Sequence, residues 1–115
     1  MIADIQPLHL RPAVGFIRRA ISAGARARDE DEIHTTAARL GYTIAAIVYD
    51  VSRRGTAINQ LMAIAWSEDA EAIVIPSRAH LVAASIDDLL PFGDVILVDS
   101  GQRFTRSGHG VAVVD

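Results

Sequence analysis

The segment AVGFIRRAIS, Ala13 to Ser22, sets a problem that organises the rest of the chain. Ala13, Val14, Phe16 and Ile17 form a short apolar run, which reads as a strand covered on both faces. Arg18 and Arg19 stand directly behind it. A guanidinium at the end of a buried strand must meet a partner or bear a large desolvation cost. Three similar runs follow, TIAAIVY (43–49), AIVI (72–75) and DVILVD (94–99), each short and rich in β-branched residues. They predict three further buried strands.

Helical spacing fills the intervals. Asp29 and Glu32 make a capping-box pattern ahead of Ile33, Ala37 and Leu40, and Gly41 marks the stop. Thr56 is placed to cap a second helix, whose Ile58, Leu61, Met62, Ala65 and Trp66 recur on one face and read as core, with Met62 and Trp66 also in position for a dimer contact. A third helix is expected from Ala79 to Leu90, with Val82, Ile86, Leu89 and Leu90 on one stripe and Pro91 and Gly93 ending it. SAGARARD (22–29) reads as a loop, at a position suited to a phosphate cradle.

Alternating strands and helices predict an α/β fold: a three-layer, flavodoxin-like sandwich with a mainly parallel sheet of four or five strands joined by right-handed crossovers. A single domain spans 1–115, with 1–12 an N-terminal extension and 100–115 a C-terminal turn. Within that turn, VAVVD (111–115) is in place to return as an antiparallel edge strand.

With 115 residues and 50% hydrophobic composition, such a domain has enough apolar material for its own core. There is no cysteine, which excludes disulfides and thiol chemistry. No run approaches the roughly 20 apolar residues of a membrane span, and no export signal opens the chain, so a cytoplasmic protein is expected. The formal charge of −3 argues against a protein that coats nucleic acid through a basic surface. All 11 basic residues are arginines, whose planar forks hold carboxylates or phosphates by paired hydrogen bonds.

Ligands of open α/β sheets gather at the carboxyl ends of the strands. Arg18 and Arg19 close the first predicted strand; Asp50, Ser52, Arg53 and Arg54 follow the second; Ser77, Arg78 and His80 follow the third; Arg103 and Arg106 follow the fourth. An anion-binding rim built from Arg18, Arg19, Asp50, Ser52, Arg54, Ser77 and Arg78 is expected there, the alternative being local pairing of these arginines with acids such as Asp50 or Asp99.

VGFIRRAIS, IVYDVSRRG and AIVIPSRAHL together resemble the N-terminal catalytic domain of the serine recombinases, the resolvase and invertase family. That family opens with a G-Y-x-R-V-S strand, whose serine attacks a DNA phosphate. An aspartate and S-G follow its second strand, and L-D-R-L-x-R its third. Gly15, Phe16 and Arg18 match the first motif, but the serine position is Ala20. Asp50 and Ser52 match the second, with Arg54-Gly55 in place of the usual glycine, and Arg78 takes the first arginine of the third, preceded by Ser77.

The resemblance implies a stand-alone, catalytically inactive binding or regulatory module linked to DNA recombination. Its expected associations are a homodimer and a phosphate-bearing or protein partner, without sequence-specific DNA binding by the monomer. One alternative is an active strand transferase using Ser22 as the catalytic nucleophile, and another is phosphate-ester chemistry at Ser52 or Ser77 beside Arg18 and Arg78. A third is a receiver-like signalling domain, although only Asp50 and Asp99 supply acids at the strand ends. His9, His34, His80 and His109 share no ligand spacing and read as solvated or helix-face residues, so no metal and no cofactor is expected.

Overall fold

A computed structural model describes residues 10–51, 57–81 and 84–105. Five strands, β1 (Arg11–Arg18), β2 (Tyr42–Asp50), β3 (Ala72–Ile75), β4 (Asp94–Leu97) and β5 (Arg103–Phe104), form one sheet in the order β2-β1-β3-β4-β5. The first four are parallel, and β5 runs antiparallel to β4. Helices α1 (Arg19–Ser22), α2 (Arg26–Arg39), α3 (Ala57–Ser67) and α4 (Ile86–Leu89) make the connections. The expected α/β class and four parallel strands are therefore present; β1, β3 and β4 are largely buried, whereas β2, expected to be covered on both faces, is an edge strand with Thr43 and Ala45 exposed. No helix among the described residues is long and apolar enough to cross a membrane.

Alternation along each strand divides the core in two. Ala13, Ile17, Ala72, Val74 and Ile96 pack with Ile33 and Ala37 of α2 on one face. Val14, Phe16, Ile73, Ile75, Val95 and Leu97 pack with Leu61 and Ala65 of α3 and with Ile86 and Leu89 of α4 on the other. The register of β2 carries one irregularity. Ala13 pairs with Ile44 but Val14 pairs with Ala46, so Ala45 is an extra residue in β2. A bulge of this kind reverses which face the following side chains reach. Tyr42 and Ile44 join the α2 side before it, and beyond it Ile47 and Tyr49 do so, leaving Ala46 and Val48 to the α3 side.

Helix α2 starts at Arg26, before the expected capping box, and its N-cap residue Ala25 offers no side-chain bond. SAGARARD is not a loop: the chain leaves β1 directly into the single turn α1, passes a 3-10 turn at Ala23–Ala25, and continues into α2. The joint is Ala23, at φ 48° and ψ −121°, a conformation that glycine adopts more readily. The helix ends at the expected stop, since Gly41 takes φ 89° and its N–H donates to the Ala38 carbonyl.

The helix expected over Ala79–Leu90 is not continuous. Residues 78–80 form a 3-10 turn, Val82 lies outside the described residues, and α4 spans only Ile86–Leu89. The reason is local: Ser85 and Asp88 form a reciprocal capping box, which starts a new helix at that point. A 3-10 turn at Leu90–Phe92 then carries Pro91. The antiparallel edge strand is Arg103–Phe104, within the segment expected to be a turn; VAVVD and Thr56 lie outside the described residues. Trp66, expected in the core, is 79% exposed, whereas Met62 packs against the core.

Gly15 of β1 faces Ile33 of α2 and Ile47 of β2. A Cβ there would lie 3.0 Å from Cγ2 of Ile33 and 3.1 Å from Cγ1 of Ile47. Gly15→Ala is expected to destabilise the fold by about 1–3 kcal/mol through overpacking. Urea unfolding would show a lower midpoint with an unchanged m-value.

Candidate functional site

The first crossover leaves β1 toward β2, whereas the next returns the chain to β3 on the other flank of β1. This reversal creates a crevice at the carboxyl ends of β1 and β3, the place where open α/β sheets hold ligands. Arg18 ends β1 there, and Ser77, Arg78 and His80 follow β3.

Arg18 is buried, and its Nη1 donates to Oδ2 of Asp50 at 2.9 Å. The two residues are direct cross-strand partners. The bulge in β2 makes the pairing possible, because it directs Asp50 to the same face as Arg18, in line with Ala46 and Val48. The backbone N–H of Arg18 donates to Nδ1 of His80 at 2.9 Å. His80 is therefore held with Nδ1 as acceptor and its proton on Nε2. Burial lowers the pKa of His80, and the charges of Asp29 and Asp99 partly oppose that shift. The expectation of a solvated or helix-face histidine is thus corrected for His80, which is 3% exposed, while His34 is exposed.

Ser22 follows Arg18 by one helical turn and is buried, its hydroxyl donating to a carboxylate oxygen of Asp29. Ala20, where the serine-recombinase pattern places the nucleophile, is exposed instead. The turn of α1 separates the two positions: a continuing strand would have left both on one face, whereas a helical turn rotates Ser22 inward. Asp29 answers Ser22 rather than capping a helix.

The remaining rim residues diverge. Arg78 is exposed and lies over the Phe104 ring at 5.2 Å, toward β5, whereas Arg18 reaches β2 at the opposite edge of the sheet. Arg103 leaves the rim altogether. Its guanidinium makes two hydrogen bonds to Asp94, at 3.1 and 3.0 Å, and one to the Tyr42 hydroxyl at 2.9 Å, near the amino ends of the strands. The expectation that Arg103 lies at the carboxyl ends of the strands is corrected accordingly, because β5 runs antiparallel and carries it away. Ser77 is half-buried beside Arg78; Ser52, Arg53, Arg54 and Arg106 lie outside the described residues.

A groove of about 700 Å³ opens next to Ala20, lined by Arg19, Ala20, Gly24, Arg26 and Val51. Arg19 is exposed, and Arg26 holds Glu30 only loosely, at 3.9 Å. The groove is cationic, with a floor of small side chains. Among the described residues no group of three or more His, Asp or Glu is arranged to hold a metal ion. The capping pair Ser85 and Asp88 is legible as S-x-x-D, but nothing in the sequence marks Asp29 as the partner of Ser22 or His80 as that of Arg18. Comparison of the chain with family models, curated proteins and solved structures gives no match in any of the three.

Two outcomes test this network. Asp50→Ala leaves Arg18 charged and buried without its carboxylate and is expected to cost about 3–5 kcal/mol, most of it recovered by combining Arg18→Met with Asp50→Leu; denaturant melts of the three variants measure this. His80 has a native pKa below its unfolded value of about 6.5, so its contribution is complete above that pH and is lost as pH falls toward the native pKa. Stability is expected to decline below about pH 6.5, by at most about 1.4 kcal/mol per pH unit. His80→Gln, which retains an acceptor for the Arg18 N–H, flattens this decline in thermal melts.

Proposed function

We propose that the chain is a stand-alone, non-catalytic relative of the serine-recombinase catalytic domain, a binding or regulatory module linked to DNA recombination that engages a phosphate-bearing partner at the Arg19–Arg26 groove. The observation that carries this reading is the exchange at α1. An exposed methyl group, Ala20, occupies the nucleophile's position, and the nearest hydroxyl, Ser22, points inward at Asp29. Covalent phosphodiester chemistry needs an accessible oxygen in line with the phosphorus. Reversible binding needs only donors, and two guanidinium forks beside the uncapped first turn of α2 supply them.

The competing reading, a strand transferase using Ser22, draws on the Ser22–Asp29 contact, since a carboxylate can accept a hydroxyl proton. A 5′-phosphorylated oligonucleotide labelled for fluorescence anisotropy separates the two. Reversible, salt-sensitive binding is expected, weakened at least about tenfold by Arg19→Ala with Arg26→Ala and unaffected by Ser22→Ala. An adduct that survives SDS and disappears in Ser22→Ala would overturn the non-catalytic assignment. Binding unchanged in the double arginine variant would overturn the groove.

A further inference from the structure

At the other end of the sheet, a cleft of about 400 Å³ lies between the C-terminal end of α3 and the 3-10 turn at Leu90–Phe92. Trp66 lines it together with Leu90, Pro91 and Phe92, and Asp69 and Glu71 stand on its rim. We infer that this cleft docks an arginine- or lysine-rich segment of a partner protein, with a basic side chain lying against the Trp66 indole and paired with Asp69 and Glu71.

Three observations converge on that occupant. Trp66 is 79% exposed, an unusual position for the largest apolar side chain in a chain that buries Phe16 and Tyr42 almost completely. An exposed aromatic beside a concave apolar wall is the form that interaction anchors take. The electrostatics then select the partner's sign. Asp69, Glu71 and Asp94 line the cleft and no arginine does, whereas Arg78 lies at the opposite end of the sheet together with Asp87 and Asp99. Glu71 has only a half-exposed contact with Arg11 at 3.6 Å, which competes weakly with an incoming cation. An indole face, finally, attracts guanidinium and ammonium groups. Asp94 also lines the cleft, but its carboxylate is engaged by Arg103.

Trp66 is the only tryptophan in the chain, so its emission reports on this cleft alone. Titrating the full chain with an arginine-rich peptide is expected to produce a saturable change in Trp66 emission that diminishes with added salt, whereas a glutamate-rich peptide of equal length produces none. Asp69→Asn combined with Glu71→Gln is expected to weaken binding at least about tenfold. Asn is suited to position 69, where φ is 53°. Calorimetry on Trp66→Ser provides a second readout, with the heat of peptide binding lost while the thermal midpoint is retained. Silence toward the basic peptide, or an equal response in the double variant, would overturn the inference. So would an emission change that tracks protein concentration without peptide, which would assign the cleft to a second copy of the chain.

Discussion

A buried guanidinium at the end of an inner strand bears a large desolvation cost unless a partner such as a carboxylate reaches it inside the protein. Arg18 and Asp50 meet this requirement as direct cross-strand partners, both buried, at 2.9 Å. The pair depends on the extra residue at Ala45. Without the bulge, continued alternation from Tyr42 and Ile44 would place Asp50 on the α2 side, the side of Ile17, with Arg18 on the other side of the sheet. A buried ion pair adds little net stability over a well-packed apolar pair, yet mispairing it is expensive. Its effect here is therefore to hold β2 in one register against β1, where a nearly continuous apolar strand would otherwise slip easily.

The other polar groups at this end of the sheet follow from that anchoring. With its side chain committed to β2, Arg18 offers its backbone N–H on the other flank, and His80 takes it. This contact ties the turn after β3 to the end of β1, across the crevice where such folds ordinarily admit a ligand. Ser22, one helical turn on, is likewise bound to Asp29. Among the described residues, the end of β1 is occupied by a buried network of Arg18, Asp50 and His80. Outside it, on the exposed faces of α1 and α2, Arg19 and Arg26 border the groove.

The four parallel strands are legible in the sequence because each is a short apolar run rich in β-branched residues, and the order of elements follows from their alternation with helical segments. The single-turn α4 is harder to see. The apolar stripe from Val82 to Leu90 outweighs the capping signal at Ser85, although the reciprocal bonds with Asp88 decide the local structure. Arg103 escapes its expected place for a topological reason: residues just after a parallel strand belong to the ligand end only until the chain reverses, and here it reverses within a few residues into β5. The bulge is not legible at all. Its consequence, the face on which Asp50 emerges, depends on pairing with β1 rather than on any residue type within β2.

Charge is distributed unevenly between the two halves of the chain, and the fold turns that sequence asymmetry into a spatial one. Ten of the eleven arginines lie outside residues 57–102, while half of the fourteen acids lie inside. The doubly wound topology places the arginine-bearing segment 11–39 in β1, α1 and α2, and the acidic segment in α3, α4, β3 and β4. The cationic groove and the Trp66 cleft consequently belong to different layers and to opposite ends of the sheet. Their linings share no residue, so what is proposed for one surface does not draw on the side chains of the other. Among the described residues the buried polar groups Arg18, Asp50, His80, Ser22 and Asp29 bond to one another, so the side chains that face solvent around the groove and the cleft are drawn from other positions.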